Sequence, residues 1–577
     1  MIKEWLISNS EIHLEELSKF IDGKGYYLYA DKKNIVTFPD GVSILINGYF
    51  VPRANLTSKY TERQEALVHK MYNDFGTDFS KYGKGCYNII IIDNDEFHIV
   101  SDRFGQIKHF IFEDNQRFIF SNSLKRISLQ IDAQIDYLSL AVHTLFCHYI
   151  GGLTLLKGVR YNDAAGMISY ANNGIKHSRY DVIDRLFEQV RRDVPVNEIA
   201  DVFAKAVADI TSRLDVKDVS LSLTGGMDTR NLLASLSKQN LKPHVYTYGN
   251  PNSEDSLRSQ DISHGLKLEH SLYDYKPEFE EFKAYAKRII KVGETLTSIH
   301  RVHRIWSVEK EADYSKNMFL GTLGGEYVKG VHFNDYIISK FIDKYWDCDD
   351  RKALLHEELD KKCFNVALID LDALVTFVDQ QSFCSYKDRN KNIFHVLSYI
   401  TARTHDAQDI NIYNGDMDYV FTPFLDIDYL EILFSSRFTF DLKYQIKSKL
   451  QQRLSNPIYS TQMIYGMYPK LAKFEYAGKY SPKEMHISPY YAMVLKVMRT
   501  KLRKKYPENF PLDQWMQDFV KIVYDSELGS EMGKVFDVDK LKKVLRSNDH
   551  KTTEAYWLKF TNVIHHQYEL DYLSLED

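Results

Sequence analysis

The stretch "LSLTGGMDTR", Leu221 to Arg230, closes the short apolar run "DVSLSL" (Asp218 to Leu223) and opens "DTRNLLASLSKQN" (Asp228 to Asn240). Leu232, Leu233 and Leu236 share one face at helical spacing, so the segment reads as strand, glycine-paired turn and helix. A turn leaving a parallel strand and entering a helix presents backbone N–H groups at the positive end of the helix dipole. Two glycines let an anion approach without Cβ interference. Thr224 and Thr229 add hydroxyl donors. Asp228 repels a bare phosphate, which implies a bridging Mg²⁺ and a site for magnesium pyrophosphate. Taken alone, the residues also suit a plain strand-to-helix connection. The P-loop lysine is missing, so the usual NTPase loop is excluded.

Working outward, "HVYTYG" (His244 to Gly249) reads as a second strand, and "SLRSQDISHGLKLEH" (Ser256 to His270) as a helix stopped by Gly265 and followed by a third strand. This alternation implies a parallel sheet with ligands at the carboxyl ends of its strands. Upstream of about residue 185 the pattern is β-rich: "GVSILING" (Gly41 to Gly48), "CYNIIIID" (Cys86 to Asp93), "EFHIVSD" (Glu96 to Asp102), "KHFIFED" (Lys108 to Asp114) and "RFIFSNS" (Arg117 to Ser123). One helix, "RQEALVHKMYNDFG" (Arg63 to Gly76), ends on a glycine suited to a C-cap. The pattern shifts within "RLFEQVRRDVPVN" (Arg185 to Asn197), and from about Ser481 onward it is helical. There "LKVMRTKLRKKYP" (Leu495 to Pro507) is a basic amphipathic run: a solvated face, or a docking site for an acidic substrate, a leader peptide or a membrane surface.

At 577 residues the chain exceeds one core, and two or three domains are expected. With 44% apolar residues, 27% charged residues and a net charge of −5, it is globular and lacks the basic excess of a dedicated nucleic-acid binder. Apolar runs fall far below the roughly 20 residues of a membrane span, and "MIKEWLISNSE" is too polar for a signal peptide, so a cytoplasmic location is expected. The five cysteines form no CxxC pair, which supports neither a disulfide framework nor a zinc site.

"LTGGMDTR" resembles the S-G-G-x-D-S pyrophosphatase loop of the asparagine synthetase superfamily, whose members activate a carboxylate as its acyl-adenylate. Other segments follow in that family's order. "ILINGYFVPRANL" (Ile44 to Leu56) is similar to its N-G-E-[IV]-Y-N segment, and "SDRFGQIKHFIFEDNQRFIFSNSLKRI" (Ser101 to Ile127) to its R-D-x-x-G strand pair. "FLGTLGGEYVKG" (Phe319 to Gly330) resembles the G-x-G-x-D-E loop, and "TPFLDIDYLEIL" (Thr422 to Leu433) the P-F-L-D element.

Three departures bear on function. Glutamine-using members carry a cysteine nucleophile directly after the initiator methionine; here that position is Ile2, and glutamine hydrolysis is expected to be lost. Asn47 and Gly48 stand where the family builds its oxyanion hole. In the acidic loop, Gly325 replaces the family's aspartate and leaves Glu326. The family's lysine after P-F-L-D has no clear counterpart; Lys447, Lys449 and Lys470 are the candidates.

The resemblance implies an N-terminal-nucleophile-type amidohydrolase-like α+β sandwich over residues 1–190, degenerate as a glutamine amidotransferase. An α/β parallel-sheet pyrophosphatase-loop synthetase domain follows over 191–480, then a helical C-terminal extension over 481–577. It further implies ATP on Leu223, Thr224, Gly225, Gly226, Asp228 and Thr229, with Tyr248 and Gly249 against the nucleotide. Mg²⁺ falls to Asp228 and Glu326, and Lys470 joins them as a candidate catalytic group. The expected chemistry is an ATP-dependent carbon–nitrogen ligase joining a small-molecule or peptide carboxylate to ammonia or a substrate amine; a homodimer is left open. A catalytically silent scaffold and a tRNA-modifying enzyme are the alternatives.

Overall fold

The computed structural model describes residues 2–14, 16–21, 25–329, 337–443, 449–502, 505–507, 512–546 and 554–575. Lys447 and Gly330, the last residue of the acidic-loop motif, lie outside these.

The isoleucine run of "CYNIIIID" lacks the alternation of a half-exposed strand because both of its faces are buried. Strand Gly83–Asp93 pairs antiparallel with Ser43–Pro52 along their length, from Ser43 opposite Ile92 to Pro52 opposite Gly83. Ile90 and Ile92, with Leu45, Phe97 and Ile99, pack against Trp5, Ile7 and Phe120 of a second sheet. Ile89 and Ile91, on the opposite face, meet Leu67, Val68 and Met71 of helix Gln64–Phe75. The N-terminal portion is therefore two six-stranded antiparallel sheets face to face, with helices outside. Gly48 requires its left-handed φ of 86°, since a Cβ there would lie 2.1 Å from the Cys86 carbonyl oxygen.

The third sheet is parallel, with strands in the order His270–Tyr273, His244–Tyr248, Ser220–Ser222, Asn317–Phe319 and Tyr419–Phe421. By chain position the order is 3-2-1-4-5, which reverses between Ser220–Ser222 and Asn317–Phe319. Ligands bind at such a reversal, outside the carboxyl ends of the strands.

One local expectation is corrected. Gly265 does not stop its helix, which runs Glu254–Leu266 and ends at Lys267 in the left-handed conformation (φ 56°, ψ 49°). Gly265 is instead needed for packing, because a Cβ there would lie 2.4 Å from the Phe474 ring.

The seam between sandwich and parallel-sheet domain is charged. Lys84, 2% exposed, reaches Asp426 and Asp428 at 2.9 Å each and Asp209 at 3.4 Å. Arg53 pairs with Asp428 and Glu431, and Arg185 with Asp181 and Glu431. Burial disfavours the Lys84 charge, but Asp426, Asp428 and Asp209 outweigh it and raise its pKa. Burial likewise works against the Asp428 charge, yet Lys84 and Arg53 draw its pKa down to about 2. The last described helix, Glu554–Leu573, is built into the common core, and Tyr149 Oη donates to Glu569 at 2.9 Å across this contact.

Lys84→Met removes the cation from Asp426 and weakens the hold on Asp428 and Asp209, which keep Arg53 and Lys205, and urea unfolding should show a loss of about 3–5 kcal/mol. Because the folded pKa of Asp428 is depressed, its contribution is present above about pH 4 and lost as pH falls toward 2; the variant's acid unfolding curve should be correspondingly shallower.

Candidate functional site

The loop Leu223 to Met227 joins strand Ser220–Ser222 to helix Asp228–Lys238, whose N-cap, Met227, makes no side-chain cap. Leu223 is fully buried, and its N–H donates to Tyr246 O of the neighbouring strand, which fixes the start of the turn. Thr224 and Thr229 face one another across it: the Thr224 N–H donates to Thr229 Oγ1 at 3.4 Å, and the hydroxyls stand 3.5 Å apart. The Gly226 N–H donates to Thr224 Oγ1 at 3.1 Å. These contacts pair the Thr224 and Gly226 N–H groups with hydroxyls of the loop itself.

Across the switch point, the loop after Asn317–Phe319 abuts this turn. A Cβ on Gly324 would lie 2.6 Å from Asp228 Cβ, and one on Gly321 3.1 Å from Thr229 Cγ2, so both glycines are close-approach positions. The same loop delivers Glu326, half-buried, as the first residue of helix Glu326–Lys329. Its carboxylate accepts the Gly325 N–H at 3.1 Å. Asp228 and Glu326 thus stand on touching loops and offer hard carboxylate oxygens, the donor chemistry Mg²⁺ takes. Among the described residues no group of three or more His, Cys, Asp or Glu side chains converges on a metal position. A cation here would draw on one or two carboxylates and complete its octahedron with water and phosphate oxygens.

Tyr248 ends the second strand, its ring 5.4 Å from that of His303, and the Gly249 N–H donates to Tyr273 O. Beyond them lies a charged wall that sequence reasoning missed. Asp409 pairs with both Arg301 and Arg304, and Arg301 also donates to Gln408 at 2.7 Å and to His405 O. Burial, reinforced by the negative charge of Glu326, pushes Asp406 up to about 8, which holds it protonated at neutral pH. "THDAQD" (Thr404 to Asp409) carries no spacing that singles out Asp406, because its role depends on Glu326, 80 residues away in the chain.

A second unforeseen element is the segment Phe474 to Ala477, which straps the loop. Arg230, fully buried, donates to Phe474 O at 2.9 Å and Glu475 O at 2.6 Å, and the Ala477 N–H donates to Gly225 O at 3.0 Å. The Gly225 N–H is held by Asp255 Oδ1 at 2.8 Å. Lys470 is exposed on the short turn Pro469–Lys473 that precedes the strap. Lys449 begins helix Lys449–Met467, and its side chain lies outside the described residues.

Between the sandwich and the parallel-sheet part, a cavity of about 40 Å³ is lined by Ile2, Asn47, Gly48 and Lys108 on one side and Glu294 and Asn411 on the other, among others. No cysteine, serine or threonine lines it among the described residues. The Asn47 amide is tied to the Lys3 backbone at both atoms, Oδ1 accepting its N–H at 2.7 Å and Nδ2 donating to its carbonyl oxygen at 2.9 Å, which leaves one Nδ2 hydrogen over.

No protein-family model matches this chain, and no curated protein matches it. Among solved structures, it is similar to glutamine phosphoribosylpyrophosphate amidotransferase from B. subtilis complexed with ADP and GMP, at 11% identity and a TM-score of 0.18. That likeness covers 42% of this chain and 50% of that one. A structure of the allosteric regulatory enzyme of purine biosynthesis is similar to the same degree: 11% identity, TM-score 0.18, 42% and 50% coverage. The likeness thus spans half the length of each, and at this TM-score it carries no argument.

Gly324→Ala forces the acidic loop off Asp228, and urea unfolding should report a loss of about 1–3 kcal/mol.

Proposed function

We propose that this chain is an ATP-dependent amide-forming ligase that adenylates a carboxylate, releases pyrophosphate and transfers the acyl group to ammonia or a substrate amine. The observation that carries the proposal is the meeting of the Leu223–Thr229 loop with the Gly321–Glu326 loop at the switch point of a 3-2-1-4-5 parallel sheet. A triphosphate on this loop would have to displace the Thr229, Asp255 and Thr224 oxygens from the Thr224, Gly225 and Gly226 amides, and would then present its metal-binding oxygens toward Asp228 and Glu326. Mg²⁺ bound there supplies charge neutralisation for the pyrophosphate leaving group. A substrate carboxylate oxygen attacks the α-phosphorus as the bond to pyrophosphate breaks. The amine nitrogen then attacks the acyl carbon, AMP leaves, and the nitrogen loses a proton. Asp406, protonated, can donate a hydrogen bond, and Arg304 offers a cation close to Tyr248. The pocket beside Ile2 and Asn47, with no cysteine, serine or threonine in its described lining, supports an amine that does not come from glutamine.

ATP–pyrophosphate exchange with pooled carboxylates (aspartate, uronic acids, N-acylated amino acids, peptides) tests the proposal. Substrate-dependent exchange that falls about 100-fold or more in Asp228→Ala is the expected result; absence of ATP binding overturns it.

One contact favours a silent scaffold. Asp255 occupies the Gly225 amide and sets a negative charge where a phosphate would sit. If the contact is only a gate on an active site, Asp255→Asn tightens ATP binding about three- to tenfold by calorimetry. A variant that still fails to bind ATP points to the scaffold.

A further inference from the structure

The helix Pro489–Leu502 turns an apolar face to water. Tyr490, Tyr491, Val494, Val497, Met498 and Leu502 recur at helical spacing on that face, with Tyr490 62%, Val494 57% and Leu502 79% exposed. The helix is anchored from its other side: Ala492 is fully buried in a small cluster with Leu454, Tyr480 and Met485. The outward stripe is therefore surplus to folding, and a continuous exposed apolar face of this kind marks a contact surface.

Charge identifies what covers it. Between residues 481 and 507 the sequence has seven lysines and arginines against one acid, Glu484, although the whole chain is at −5. Arg499 neutralises that acid, donating to both of its oxygens at 2.8 Å. Lys483, Lys496, Lys501 and Lys505 remain exposed: Lys501 falls among the stripe residues, Lys496 on the far side of the helix, and Lys483 and Lys505 beyond its two ends. Pairing with a second copy through this face would bring this basic segment against its own equivalent, a like-charge arrangement. Among the described residues no helix is long and apolar enough to cross a membrane, and this one has 14 residues. An exposed apolar stripe with tyrosines at one end, within a locally basic segment, is the composition of a helix lying in the plane of a bilayer interface.

We propose that Pro489–Leu502 docks this protein on an anionic lipid surface, with its apolar stripe in the headgroup boundary and its lysines against the lipid charges. The proposal is independent of the ligase chemistry.

Flotation of the full chain with phosphatidylcholine vesicles, with and without phosphatidylglycerol, tests it. Flotation only with the anionic vesicles, weakened by added salt, is expected. Val494→Asp combined with Val497→Asp should abolish it at an unchanged thermal melt, and Lys501→Glu, an exposed single change, should weaken it about fivefold or more. The proposal is overturned by failure to float with anionic vesicles, by equal flotation with neutral ones, or by variants that float like the wild type. It is also overturned if sedimentation shows a dimer that the double aspartate variant dissolves, because the face then belongs to a second copy.

Discussion

Lys84 is the pivot of this structure. A lysine at 2% exposure is unfavourable alone, and it persists because Asp426, Asp428 and Asp209 surround it. Each carboxylate belongs to a different requirement. Asp426 follows the last strand of the parallel sheet and caps helix Ile427–Ser435, accepting the N–H groups of Asp428 and Tyr429. Asp428 also accepts the Ala54 N–H at 2.9 Å, gripping the sandwich from a second direction. Asp209 sits on the long helix Val196–Arg213 and is shared with Lys205. One ammonium thus fixes the sandwich against both a helix and the strand end that borders the acidic loop.

Three of the five strands of the parallel sheet were legible because local pattern determines them; Asn317–Phe319 and Tyr419–Phe421, three residues each, were not read as strands. The turn Thr224 to Asp228 declares itself by glycine and hydroxyl placement, and the strands around it by short apolar runs between turn formers. The isoleucine run was legible as a strand, though its burial on both faces only emerges from the second sheet. What escaped was set by tertiary proximity. Lys84, within "GKGCYN", looks like any strand lysine, and nothing local announces three acids, two of which come more than 340 positions later. Gly265 carries a helix-ending residue type, but the Phe474 ring decides what it is for. Arg230 follows the loop directly, and its burial beneath the 474–477 strap depends on a segment with no recognisable motif.

The site shares this dependence on distant parts. Tyr248, Glu326, Asp406 and the strap over Gly225 come from four separate stretches of chain, brought together only where the sheet order reverses. A loop of six or seven residues can propose phosphate chemistry, but the protonation state of Asp406 and the Asp255 contact on Gly225 are properties of the assembled neighbourhood. Function in such a site is constrained by several surfaces at once, none of which has an independent sequence signature.

The charged seam also governs how the chain is made. Synthesis delivers Lys84 and Arg53 long before Asp426, Asp428 and Glu431, so the completed sandwich waits with its mating face uncovered. That face is mixed: Tyr49, Phe104 and Phe146 join the common core with Phe421, Phe424 and Phe341, while Lys84 and Arg53 form a charged patch beside them that stays wettable. The water on that patch is shed only when the late carboxylates arrive, so these ion pairs are among the long-range contacts that carry the cost of a long loop closure.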